Sequence, residues 1–186
     1  KYLDFPVVSG NVSFYNQTKE VGIKPTPTIG GVGLIKDYKK MITMDFKEKD
    51  NLVLSIGKTE GHIDQSLFSR TILDEKKGPP PEVNLFNEKN NGESLLSLID
   101  KGYIKSAHDV SLGGILVALS KMCIKGEKGI KIKKTKSLIN EIEYFFGEDQ
   151  GRYIIEINQK DLKEVVKILD KNSVHHEELG IIIDKD

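Results

Sequence analysis

From Leu52 onward, short apolar runs of strand length alternate with segments whose apolar residues recur at helical spacing. That alternation restricts the chain to a layered α/β (α+β) fold. Leu52 to Ile56 reads as a buried strand closed by Gly57, and residues 64–74 carry Leu67, Phe68, Thr71 and Ile72 at helical spacing. Lys77-Gly78-Pro79-Pro80-Pro81 should end that helix, because proline supplies no backbone donor and stiffens the loop. A second helix is expected over about residues 92–102, with Leu95, Leu96, Leu98 and Ile99 inward and Gly102 stopping it. A third follows Gly114 and turns Ile115, Leu116, Ala118, Leu119, Met122 and Cys123 to the core. Residues 128–132 and Tyr153–Ile157 read as strands, 136–144 as a helix, Leu162 to Leu169 as a helix and Ile181–Ile183 as a closing strand. Gly31–Ile35 and Met41–Phe46 read as extended segments joined through Lys36–Lys40, with no helix between them. They favour a mixed sheet over a purely parallel one.

The 186 residues suffice for one good core, or for one domain and the remnant of another. Twenty-eight basic residues balance 28 acidic ones, so the basic excess of a general nucleic-acid grip is missing. No apolar run is long enough to span a bilayer. The single Cys123 excludes an internal disulfide and a cysteine-based zinc site. A cytoplasmic protein with no nucleic-acid or membrane partner is expected. The chain begins with Lys rather than Met, so a preceding part is expected as well.

Three places carry candidate chemistry. In the first, Pro6-Val7-Val8-Ser9-Gly10-Asn11-Val12-Ser13 breaks from an apolar run into Gly-Asn, and Lys24-Pro25-Thr26-Pro27-Thr28-Ile29-Gly30 re-enters an extended path. Glycine lets a bound group approach the backbone, and an Asn amide offers an oxygen to a hard cation, which suits a metal-nucleotide loop. In the second, His108-Asp109-Val110-Ser111-Leu112-Gly113-Gly114 opens a helix. Asp109 or Ser111 can cap it, and the free amides of a helix start attract phosphate; the alternative is a capped helix packed tightly on a sheet. In the third, Glu148, Asp149, Gln150 and Arg152 gather charge between a helix and a strand, where they either hold a metal-phosphate or tie a turn together. Gly30-Gly31-Val32-Gly33 has neither the spacing nor the following helix of a dinucleotide loop, and no Gly-Lys-Ser/Thr phosphate loop occurs. His175-His176 reads as a solvated pair, and nothing suggests a Ser-His-Asp hydrolase.

Taken in order and spacing, the Val8-to-Asn16 block, the Pro25-to-Gly30 block, Gly33-Leu34-Ile35, the His108-to-Gly114 turn and the Phe146-to-Arg152 turn resemble the C-terminal part of phosphoribosylformylglycinamidine synthases. The last two turns are shared with a wider superfamily that includes aminoimidazole ribonucleotide synthetase and selenophosphate synthetase. Leu112 stands where an acidic residue is more usual. The resemblance implies residues 1–20 as the tail of an ATP-binding domain and 21–186 as a C-terminal α/β domain like that of aminoimidazole ribonucleotide synthetase. It implies that Gly10 contacts ATP, Asn11 ligates magnesium and Ser13 contacts formylglycinamide ribonucleotide, with the general base and the acidic metal ligands lying elsewhere. Asp109, Ser111, Gly113 and Gly114 form the turn that either binds phosphate or packs.

The implied activity is an ATP-dependent, amidine-forming ligase of purine biosynthesis, with Mg2+ as cofactor and ATP as co-substrate. A glutaminase subunit or domain and a small accessory subunit are the implied partners. A non-catalytic α/β scaffold module, or another ATP-dependent member of the superfamily, is the alternative. On this reading residues 1–186 alone make no product. The apolar residues Leu3, Phe5, Val7, Val8 and Phe14 lose their covering, so residues 1–20 are expected to be disordered or buried against the domain's own face or a neighbouring molecule.

Overall fold

The computed structural model describes residues 2–12, 16–24, 26–133 and 138–185. It divides into two compact units, Lys1–Tyr38 and Lys39–Asp186. In the first, β1 (Gln17–Thr18) and β2 (Val21–Gly22) form a two-residue antiparallel hairpin. Lys19 reverses the chain at φ 57°. The connection expected over 16–27 is thus partly ordered as a hairpin, and its Ile23 amide donates to the Asn16 carbonyl at 3.0 Å. No strand forms over Gly31–Ile35, where Val32 is 97% exposed and has no neighbouring strand to pair with.

The second unit holds the core. Its strands are β3 (Leu52–Ile56), β4 (Ile104–Asp109), β5 (Lys128–Ile132), β6 (Tyr153–Ile157) and β7 (His176–Asp184). They form one sheet in the order β4-β6-β3-β7-β5, and each of the four pairings is antiparallel. The mixed pairing expected from the sequence shrinks to one isolated parallel bridge, Thr43 with Ser106. That bridge is also what remains of the extended segment expected over Met41–Phe46, and Tyr38–Lys40 before it forms a single 3₁₀ turn. The antiparallel result has a topological cause. β6 inserts between β3 and β4, and β7 between β3 and β5, so strands joined by helices are never neighbours.

The helices are α1 (Leu67–Thr71), α2 (Leu85–Asp100), α3 (Gly114–Gly126), α4 (Glu141–Phe146) and α5 (Leu162–Lys171). They cover both faces of the sheet. Leu52, Leu54, Ile56, Ile155 and Ile157 pack with Leu95 and Leu98 of α2 and Val165 and Leu169 of α5. Val53, Ile154, Leu179 and Ile182 pack with Ile115, Ala118, Leu119 and Met122 of α3 and Tyr144 of α4. The alternation of strand residues between two cores explains why β3 is buried at every position.

Several helix limits differ from those expected. α1 is only one turn and closes well before the proline run; its Ile72 neighbour is 68% exposed. α2 starts earlier, at Leu85, because Asn84 caps it by accepting from the Asn87 amide at 3.0 Å. Leu96, expected inward, is exposed. Part of the helix expected at 136–144 lies outside the described residues; α4 runs over Glu141–Phe146 and so ends two residues beyond the expected limit. β7 is longer than Ile181–Ile183 and includes His176, which is half-buried and not solvated.

Candidate functional site

The Gly10–Asn11 segment lies in the first unit and is fully open. A Cβ placed on Gly10 would meet nothing within 4 Å, and both residues are exposed. Leu3, Phe5, Val7 and Val8 are exposed too, and Phe14 lies outside the described residues. So does Ser13. Asn11 can supply one neutral oxygen to a cation, whereas Mg2+ takes near-octahedral oxygen coordination. Among the described residues no group of three or more His, Cys, Asp or Glu could hold a metal ion. Asn11 therefore fits magnesium as a single ligand of a site that other residues must complete.

The other two sequence candidates meet at one place in the second unit. β4 ends at Asp109, Val110 donates to the Arg152 carbonyl at 2.9 Å, and the chain turns into α3 through Gly113 and Gly114 at φ 87° and 70°. Both glycines are required. A Cβ on Gly114 would lie 2.6 Å from the Phe145 carbonyl oxygen and 2.8 Å from that of Gly147. The start of α3 is thus pressed against the end of α4, backbone to backbone.

The expected cap is not the one that forms. Gly113 occupies the cap position of α3 and no side chain caps it; Ser111 accepts from the Gly114 amide only through its backbone carbonyl, at 3.0 Å. The positive φ of two successive glycines places the helix start beyond the reach of the Asp109 and Ser111 side chains. Asp109 is instead engaged locally. Burial works to raise its carboxyl, but the Ser111 hydroxyl and then His108 outweigh that and hold it below the usual carboxylate range. His108 Nδ1 lies 3.0 Å from Asp109 Oδ1.

The anion at this turn is Glu148. Its Oε1 accepts from the Gly113 amide at 2.8 Å and from the Leu67 amide, the first of α1, at 2.7 Å. Its own amide donates to the His62 carbonyl at 2.8 Å. The next residue, Asp149, is 7% exposed and accepts from the amides of Glu60, Gly61 and His62, each at 3.0 Å. Arg152 is buried beside it. It donates to the carbonyls of Gly147 at 2.6 Å and Asp149 at 3.1 Å and to Thr59 Oγ1 at 3.2 Å, and its Nη1 stands 3.6 Å from Asp149 Oδ2. Burial pulls the guanidinium pKa down, opposed by Asp149. These bonds tie the 147–152 turn to the loop after β3. Gln150, exposed, lines an adjoining polar cleft of about 560 Å³ with Lys58, His62, Asn84, Asn87 and Glu88. Burial raises the Glu88 carboxyl pKa at its wall.

Sequence reasoning missed Glu156. It is completely buried in β6 and accepts from the amides of Lys47 (2.8 Å) and Glu48 (3.0 Å), from Asn51 Nδ2 (2.7 Å) and from Ser106 Oγ (2.8 Å). Four donors satisfy the carboxylate and stitch the entry segment to the sheet.

A five-stranded sheet covered on both faces, with a glycine-opened helix after an edge strand, defines a class of domain. Residues 48–186 match the family described as AIR synthase related protein, C-terminal domain, and the chain belongs to that family. It is 73% identical over 181 residues to phosphoribosylformylglycinamidine synthase subunit PurL of Pelagibacter ubique (strain HTCC1062), a match covering 97% of this chain and 25% of that protein. The subunit PurL of Bartonella henselae is 42% identical over 180 residues, covering 97% of this chain and 24% of its own length. The chain spans about a quarter of the length of the curated relatives it matches. Among solved structures, T. maritima PurL complexed with FGAR shares the fold at a TM-score of 0.65 and 18% identity, covering 78% of this chain and 26% of that one. E. coli HypE, a hydrogenase maturation protein, shares it at a TM-score of 0.58 and 14% identity, covering 78% of this chain and 48% of that one. Among the described residues no helix is long and apolar enough to cross a membrane.

Proposed function

We propose that this chain forms the C-terminal part of an ATP-dependent ligase that converts formylglycinamide ribonucleotide, ATP and glutamine-derived ammonia to formylglycinamidine ribonucleotide, ADP and phosphate. The observation that carries the reading is the 73% identity to a PurL subunit across 97% of the chain. Residues 1–20 are then the tail of an ATP-binding domain and 21–186 the last α/β domain, working in the cytoplasm beside a glutaminase and a small accessory subunit.

An amide oxygen is a poor leaving group. ATP phosphorylates it, ammonia attacks the activated carbon, and phosphate leaves with that oxygen. Protein groups contribute mainly by positioning and by fixed charge. On this reading the Gly10 backbone lies against the nucleotide, where a side chain would stand in the way, and Ser13 contacts the ribonucleotide substrate. Asn11 offers its amide oxygen to magnesium, which when bound neutralises charge on the transferring phosphoryl group. The exposure of Gly10 and Asn11 supports this role, since groups that serve a ligand are not spent on the core. The second unit supports a scaffold, because the polar groups of its 147–152 turn are bonded within the protein.

The test is Asn11→Ala in the complete enzyme, with steady-state kinetics at varied magnesium. Turnover should fall by roughly tenfold or more, with a shifted magnesium dependence. An unchanged rate and magnesium dependence would reduce Asn11 to a turn former. Residues 1–186 alone should form no amidine from ATP and ammonia; measurable product would place the whole site within this chain.

A further inference from the structure

We propose that Glu148 is a built-in anion that closes the start of α3 to phosphate. α1, α2 and α4 are each capped by the side chain of the preceding residue: Ser66, Asn84 and Asn140 accept from the amides of Ser69, Asn87 and Glu143 at 2.9 to 3.0 Å. α3 has no such cap. Gly113 has no side chain, so its amide would meet water or an external anion.

The Glu148 carboxylate sits there instead. One oxygen takes the Gly113 amide at 2.8 Å and the Leu67 amide at 2.7 Å, so a single negative charge serves the starts of α3 and α1 together. The carboxylate is held from both sides along the chain. Its own amide bonds the His62 carbonyl, and Asp149 next to it takes three backbone amides. Behind it, the Gly114 backbone lies against the Phe145 and Gly147 carbonyls, which leaves no room for a phosphate on that side. An external phosphate reaching Gly113 would have to displace a carboxylate already paired with two amides, and would meet its charge at close range. The turn is therefore a joint between α1, α3 and the 147–152 segment.

The test uses the 186-residue chain, inorganic phosphate as probe and potassium chloride at matched ionic strength as control. Amide resonances of Gly113 and Leu67 are followed by two-dimensional NMR during the titration. The wild-type chain should show no saturable phosphate-specific shift at either amide. Glu148→Ala should show one at Gly113, half-saturated at a phosphate concentration roughly tenfold or more below the highest at which the wild type stays flat. Should Glu148→Ala not fold, Glu148→Gln retains the side-chain size without its charge and should give a weaker response of the same kind. A saturable shift in the wild-type chain overturns the proposal. So does the absence of any phosphate response in the folded variants, since the carboxylate would then not be holding an anion's place.

Discussion

The Gly10–Asn11 segment and the Glu148–Arg152 turn are both rich in glycine and polar groups, yet they use them in opposite ways. Around Gly10 nothing approaches a would-be side chain, and Asn11 is exposed. Around Gly114 and Gly147 a would-be Cβ meets backbone at 2.5 to 2.6 Å, and Glu148, Asp149 and Arg152 spend their charge on named amides and carbonyls. A glycine beside polar residues therefore has two meanings. Space already filled by backbone marks a joint in the fold; space left open, as at Gly10, puts no demand on packing and is free for the nucleotide contact proposed for it.

The largest test of that contrast is Arg152→Leu. It removes a buried cation bonded to two carbonyls and a hydroxyl and leaves the buried Asp149 with its three amides but no cation. Breaking a buried pair from one side costs about 3–5 kcal/mol, so the urea midpoint should drop sharply. Asn11→Ala in the same chain should stay within about 0.5 kcal/mol of wild type, because an exposed side chain outside the core is removed. Comparable losses from the two substitutions would erase the distinction.

Next in size is a matched pair of glycine substitutions. Gly114→Ala forces a Cβ into a left-handed residue at 2.6 Å from a carbonyl oxygen, and should destabilise by about 2–4 kcal/mol from strain and overpacking. Gly10→Ala meets open space, and its midpoint should move by less than about 0.5 kcal/mol. Thermal or urea unfolding of both reads the difference directly. A tolerated Gly114→Ala would mean that α3 and α4 can separate locally.

The difference between joint and open loop was only partly legible in the sequence, for physical reasons. β3 and β6 were read at their true limits because each is a run of apolar, mostly branched residues between turn signals. β4 was not read as a strand, since Ile104–Asp109 is polar and lies at a sheet edge where one side faces outward. The first half of α2 was missed because Asn-Glu-Lys-Asn-Asn-Gly-Glu, residues 87–93, has no apolar period; Asn84 caps the helix three residues before that stretch, and the buried Asn91 and Ser94 anchor it. The charged cluster at 148–152 was found, but its two readings could not be separated from spacing alone. The amides that decide between them belong to residues 60–62, 67 and 113, all distant in sequence. Glu156 gave no signal at all, because a lone carboxylate in an otherwise apolar strand carries no local mark of the four remote donors that pair it.

The smallest expected effect lies between the two extremes, at the segment that enters the sheet. Lys47 is bonded through its amide to the buried Glu156, while its ammonium donates to Asp45 Oδ2 at 2.5 Å and Thr43 Oγ1 at 2.6 Å near the surface. Hydrogen bonding from Lys47, then from Thr43, lowers the Asp45 pKa from 3.8 to about 2. A carboxyl with a depressed folded pKa contributes stability that is fully present above the unfolded value. That contribution is lost as pH falls from near 3.8 through about 2. Because Asp45 is partly solvated, screening keeps the contribution below that of the glycine joint. Asp45→Asn should therefore cost little at neutral pH and flatten the acid limb of stability between those two values, as followed by urea titrations at stepped pH. An acid limb as steep in the variant as in the wild type would assign the loss to other carboxylates. The entry segment would then be held only from its buried side, by Glu156, and would belong with the joint.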